Sequence, residues 1–100
     1  MQINPMCEEL RGGYIKFEDD SQTFTVPAVD GSVDIQKAVS VPTGYRFVGV
    51  INAYSNTGRL AIMNFVYNAT NAYLSITNVS NTSNVGQNKT AYWTNVFLKN

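Results

Sequence analysis

Apolar and polar residues alternate with a period of two along most of the chain. No window holds an apolar stripe at helical spacing for three turns. Such alternation predicts strands, because successive side chains on a strand point to opposite faces. The first clear strand is Gln22–Val26, with Phe24 and Val26 on one face and Thr23 and Thr25 on the other. A weaker strand, Tyr14–Phe17, precedes it, and the acidic Glu18-Asp19-Asp20-Ser21 segment is placed to join the two as a hairpin. Pro27 and the Asp30-Gly31 turn end this unit. Val33–Val41 then alternates through Val33, Ile35, Val39 and Val41, with Lys37 breaking the apolar line as a bulge or an edge lysine would.

Pro42-Thr43-Gly44 is a tight turn into Tyr45–Ala53. The Ser55-Asn56-Thr57-Gly58 segment has the signature of a hairpin leading into Arg59–Tyr67. Asn68–Asn71 turns the chain into Tyr73–Val79, where Leu74 and Ile76 point inward and Tyr73, Ser75 and Thr77 outward. A polar loop, Ser80–Lys89, leads to a closing strand at Thr90–Leu98. Residues 1–13 read as a partly flexible leader ending in Gly12-Gly13, with room for a turn of helix over Met6–Arg11. Residues 14–100 read as one domain. Six to seven short strands with regularly spaced turns predict an all-β antiparallel β-sandwich, jelly-roll-like or immunoglobulin-like in plan. The Cys…Trp…Cys frame of an antibody domain is missing.

Three strands are apolar on both faces. In Tyr45–Ala53, Tyr45, Phe47 and Ile51 oppose Val48 and Val50. In Arg59–Tyr67, Ala61, Met63 and Phe65 oppose Leu60, Ile62 and Val66, and in Thr90–Leu98, Trp93 and Phe97 oppose Tyr92, Val96 and Leu98. A two-layer sandwich has no third layer to cover a second apolar face, and bare patches of that kind are rare on soluble monomers. The expectation is a homo-oligomer with Val48, Val50, Leu60, Ile62, Val66, Val96 and Leu98 as interface residues. The plainer alternative is that these are partly exposed residues chosen for their strand preference.

Composition removes several functions. Seven Lys and Arg balance seven Asp and Glu, and the basic residues are scattered, so nucleic acid is not an expected partner. The longest apolar runs are too short for a membrane helix, and the N-terminus has neither the basic nor the apolar region of a signal peptide. With no His and one Cys, the chain lacks the usual zinc sites, His-based catalysis and an internal disulfide. Cys7 stands beside Glu8 and Glu9, which disfavour its thiolate. Glu8-Glu9 and Glu18-Asp19-Asp20 are adjacent acids on a leader and a turn, not carboxylates facing across a cleft. They also lack calcium-loop spacing, and no phosphate-binding glycine loop is present. The expectation is a non-enzyme with no cofactor, no metal and no catalytic residue.

Uncharged polar residues are plentiful: twelve Asn, nine Thr, seven Ser and four Gln. Four Asn-x-Ser/Thr sequons occur, at Asn68, Asn78, Asn81 and Asn88, as chance allows in so Asn-rich a chain. Tyr54, Tyr67, Tyr73 and Tyr92 fall at strand ends or outward positions among these polar residues. Aromatic faces stack on sugar rings while amides and hydroxyls bind their hydroxyl groups, so the four tyrosines are candidate glycan contacts.

The order from Val39-Ser-Val-Pro-Thr-Gly-Tyr-Arg-Phe-Val-Gly-Val-Ile51, through Tyr73-Leu-Ser-Ile-Thr-Asn-Val-Ser-Asn81, to Phe97-Leu-Lys-Asn100 carries a family likeness. It resembles the small β-rich C-terminal domains of phage and prophage tail-fibre or related virion proteins of Gram-positive gut bacteria, over residues 38–100. The resemblance implies a virion or extracellular location and a structural or receptor-binding role. It also implies a homo-oligomer, with a trimer favoured, and contact with host-surface polysaccharide. The alternative expectation is a carbohydrate-binding module of a secreted or surface bacterial protein.

Overall fold

The structure, a computed structural model, describes residues 13–100. The expected leader up to Gly12, its turn of helix and Cys7 lie outside the described residues. Six strands follow in order: β1 (Ile15–Thr25), β2 (Ser32–Ala38), β3 (Tyr45–Ser55), β4 (Leu60–Tyr67), β5 (Asn71–Asn78) and β6 (Asn88–Lys99). They form two three-stranded antiparallel sheets, β1-β6-β3 and β2-β5-β4. The fold is the expected small all-β sandwich, with six strands.

The two central strands carry the most regular alternation. In β5 the inward residues Ala72, Leu74, Ile76 and Asn78 are all buried, and in β6 so are Ala91, Trp93, Asn95 and Phe97. The flanking strands add Phe24 from β1, Ile35 from β2 and Phe47 and Val50 from β3, and Val26 closes the same cluster. Each large aliphatic side chain buried there contributes about 1.5–3 kcal/mol. Trp93 keeps its polar edge satisfied, since its Nε1–H donates to Asn95 Oδ1 at 2.9 Å.

Two expected hairpins are absent. Glu18–Ser21 is not a turn: β1 runs unbroken, pairing Glu18 with Asn95, Asp19 with Thr94 and Asp20 with Trp93. On this edge strand the two aspartates find partners. Thr94 Oγ1–H donates to Asp19, and Asp20 accepts from Lys37 Nζ at 2.6 Å. Lys37 thus explains its break in the apolar line of β2. No bulge interrupts β2, and its lysine reaches from one sheet's edge strand to the other's. The Ser55–Gly58 turn is real but joins different sheets, carrying the chain from β3 to β4. The Asn68–Asn71 turn does close a hairpin, β4 with β5, with Asn68 and Ala69 both left-handed.

One end of the sandwich is closed by a ladder of amides at every third residue. Asn78 Oδ1 accepts from the backbone N–H of Asn81, and Asn81 Oδ1 accepts from that of Asn84. Asn78 Nδ2 donates to the carbonyls of Pro27 and Asn81, while Asn81 Nδ2 donates to Gly58 O and Thr57 Oγ1. Three connections are therefore tied to two side chains, in the local side-chain-to-backbone mode that Asn favours. Asn78 is fully buried, so Asn78→Ala orphans one N–H and two carbonyls and is expected to cost about 3 kcal/mol. Asn84→Ala, nearer solvent, should cost about 1 kcal/mol or less. Urea unfolding of the two variants checks this, and equal losses would contradict it.

Candidate functional site

The outer face of β1-β6-β3 is set by register. Its rows run Ile15–Leu98–Arg46, Phe17–Val96–Gly49, Asp19–Thr94–Ile51 and Ser21–Tyr92–Tyr54. The first rows, with Val48 beside Gly49, make a continuous apolar area. Phe17 is 61% exposed, Ile51 45% and Val48 41%. Val96 and Leu98 lie between them, half-buried. Only Arg46 and Asp19 at its margins carry charge.

Two bulges in β3 decide which residues reach this face. One falls between Phe47 and Gly49, the other between Ile51 and Tyr54. A bulge inserts one residue and reverses the phase of alternation beyond it. Phe47 and Val50 are therefore both buried, whereas strict alternation opposes them. Ile51 goes outward instead, although period two groups it with Phe47. Of the expected interface residues, Val48, Val96 and Leu98 are brought together on this outer face. Val50, Leu60, Ile62 and Val66 are not: they face the interior, Val50 within the core and the other three packed against it. In β4 the outward residues are Ala61, Met63, Phe65 and Tyr67. Both faces of β4 are apolar, so its pattern alone leaves the choice open; pairing of Ile62 with inward Ile76 makes it.

The far half of the β1-β6-β3 face is different chemically. Tyr54 and Tyr92 stack at 5.2 Å between ring centres beside a cavity of about 190 Å³. Asp19, Asn52 and Thr94 also line it. Asn52 stands at the second bulge with φ 57°, a conformation that asparagine tolerates better than most residues. The other two candidate tyrosines are on the opposite side of the molecule. Tyr73 stacks on Phe65 at 4.7 Å and meets Tyr67 at 6.0 Å, on the outer face of β2-β5-β4. The four tyrosines thus form two separate pairs. Phe65 and Tyr54 were each in reach of sequence reasoning through aromatic alternation, but their cross-strand partners depend on register.

Other features hold no chemistry of their own. Among the described residues no three His, Cys, Asp or Glu side chains gather as a metal site would require. A second cavity, of about 250 Å³, is lined by Thr57–Arg59 and Asn81–Asn84, whose amides are engaged in the ladder. The sequons at Asn78 and Asn81 are closed to modification in the folded chain, because both side chains are buried and bonded. Asn68 and Asn88 are exposed.

Asp34 lies next to Tyr73 across β2 and β5. Its carboxylate, placed to favour the phenol proton, holds the Tyr73 pKa above the ordinary tyrosine value, with further contributions from desolvation and from the negative charge of Asp34 and Tyr67. The sign is that of a neutral phenol favoured over a phenolate beside a negative charge. Asp34→Asn should lower the Tyr73 midpoint towards the usual value. Carbon NMR titration of the tyrosine rings checks it, and an unmoved midpoint would contradict the contact.

Compared with protein-family models, with curated proteins and with solved structures, the chain matches none.

Proposed function

We propose that the protein is a non-enzymatic structural or receptor-binding β-domain of a phage-type virion appendage, working as a homo-oligomer. The observation that carries self-association is the apolar outer face of β1-β6-β3, with Phe17, Val48, Ile51, Val96 and Leu98 in adjoining rows. Water in contact with a continuous area of this kind favours its burial against a complementary surface. A second copy offers the same chemistry, and near-zero net charge leaves little long-range repulsion between copies. The appendage role and the preference for a trimer rest on the sequence resemblance.

A second reading has its own observation. The Tyr54–Tyr92 stack, with Asp19, Asn52 and Thr94 around one shallow cavity, joins aromatic surface to hydroxyl, amide and carboxylate groups. That combination suits a sugar ring, whose C–H face is apolar and whose rim is hydroxyl.

Light scattering with far-UV circular dichroism separates the readings. Phe17→Glu and Ile51→Glu place charge on the exposed face and should break the contact made through it, lowering the mass of the oligomer while the strand signal is kept. A wild-type chain that is monomeric at micromolar concentration would remove the first reading. For the second, glycan binding should be abolished by Tyr92→Ala and unaffected by Phe17→Glu. A glycan array without hits counts against it.

A further inference from the structure

The two sheets have four edges, and three are visibly guarded against pairing with another chain. β1 carries Lys16, Glu18, Asp19 and Asp20. β2 carries Asp34 and Lys37. β3 is interrupted by two bulges. Charges and bulges are among the usual devices that blunt an edge. β4 has none of them: Leu60–Tyr67 contains no charged residue and no proline, and its ladder with β5 is free of irregularity. Among the described residues no strand pairs with its other side.

The hydrogen-bond phase tells which groups are free. Val79 N–H donates to Arg59 O, and these residues extend the β4–β5 register by one step. In an antiparallel ladder such bonded pairs alternate with non-bonded ones. Ala61, Met63, Phe65 and Tyr67 therefore spend their backbone groups on β5. Leu60, Ile62, Asn64 and Val66 aim theirs away from it.

We infer that β4 is a self-pairing edge: two copies join antiparallel through it, making one continuous six-stranded sheet. Only one register matches all four free residues with one another. It sets Leu60 against Val66 and Ile62 against Asn64, with Met63 on the two-fold axis facing its own copy. Asn68 cannot extend the pairing, since its left-handed φ of 55° takes it out of the strand. On the outer face Phe65 then lies opposite Ala61, a large ring against a small neighbour, and no like charges meet. This contact uses a different surface from the β1-β6-β3 face and does not rest on the function proposed for that face.

Cross-linking tests the register. In a Cys7→Ser background, oxidised Met63→Cys should give mostly disulfide-linked dimer, because residues facing across a non-bonded pair lie at disulfide distance. Ala61→Cys, which faces Phe65 in this register, should give almost none. Asn64→Pro removes a backbone N–H that β5 does not use, and proline is tolerated at such an edge position. It should weaken dimerisation about tenfold or more with the strand signal kept. Met63→Lys, on a 61% exposed side chain, places two like charges on the axis and should act the same way if the proline variant fails to fold. Equal cross-linking of Met63→Cys and Ala61→Cys, or an unchanged mass for both Asn64→Pro and Met63→Lys, would overturn the proposal. All these variants are compared with and without Phe17→Glu, so loss of the edge contact is distinguished from loss of the face contact.

Discussion

The structure depends on the packing of β5 against β6 across a single interior. Each is the central strand of its sheet, and each buries an unbroken inward row, Ala72 to Asn78 in β5 and Ala91 to Phe97 in β6. Two three-stranded sheets enclose only one such layer. Whatever apolar surface the outer faces carry is left to solvent or to another molecule, and this chain carries a good deal of it. The question of function therefore becomes a question of what lies against those faces.

Polar groups make the interior specific. Asn78 and Asn81 tie three connections at one end, and Asn95 joins Trp93 to Asp20 on the inner side of β1-β6-β3. Lys37 reaches the same carboxylate from the facing sheet. Every such group is satisfied, and among the described residues no buried side-chain nitrogen or oxygen lacks a partner. A fully satisfied network of this kind fixes how the sheets sit on each other without leaving a desolvated group exposed to penalty. The rigid frame then presents two contrasting outer faces, one mainly aliphatic with a tyrosine-lined end, the other bearing the Phe65, Tyr67 and Tyr73 cluster.

Strand positions were legible because period two is a local property. β5 and β6 read correctly to the residue face, since Leu74, Ile76, Trp93 and Phe97 follow an unbroken alternation. Three things were not local. The bulge at Val48 reversed the phase of β3, and nothing in Phe47-Val-Gly-Val-Ile51 marks it except the glycine. The turn at Ser55–Gly58 has the same residues whether it folds a strand back within its sheet or passes it to the other. The acidic run of β1 resembles a turn until Thr94, Lys37 and Asn95 supply partners from far along the chain. In the Asn-x-x-Asn-x-x-Asn spacing from Asn78 to Asn84 only Asn78 and Asn81 stood out, as sequons, while the structural meaning of the run lay in its period of three. For the outer faces, alternation gave the existence of a second apolar surface but placed Leu60, Ile62 and Val66 on the wrong side of β4, because both sides look alike without register.

The proposed assembly covers the outer face of β1-β6-β3. Methyl NMR with a soluble paramagnetic probe measures that cover directly. The methyl groups of Val48, Ile51, Val96 and Leu98 should be shielded at high protein concentration, approaching the buried Ile76. Val29 and Val85, which are similarly exposed in the single chain but lie outside that face, should remain open to the probe. If Val48 and Ile51 relax as fast as Val29 and Val85 at every concentration, the face is bare and the account is contradicted.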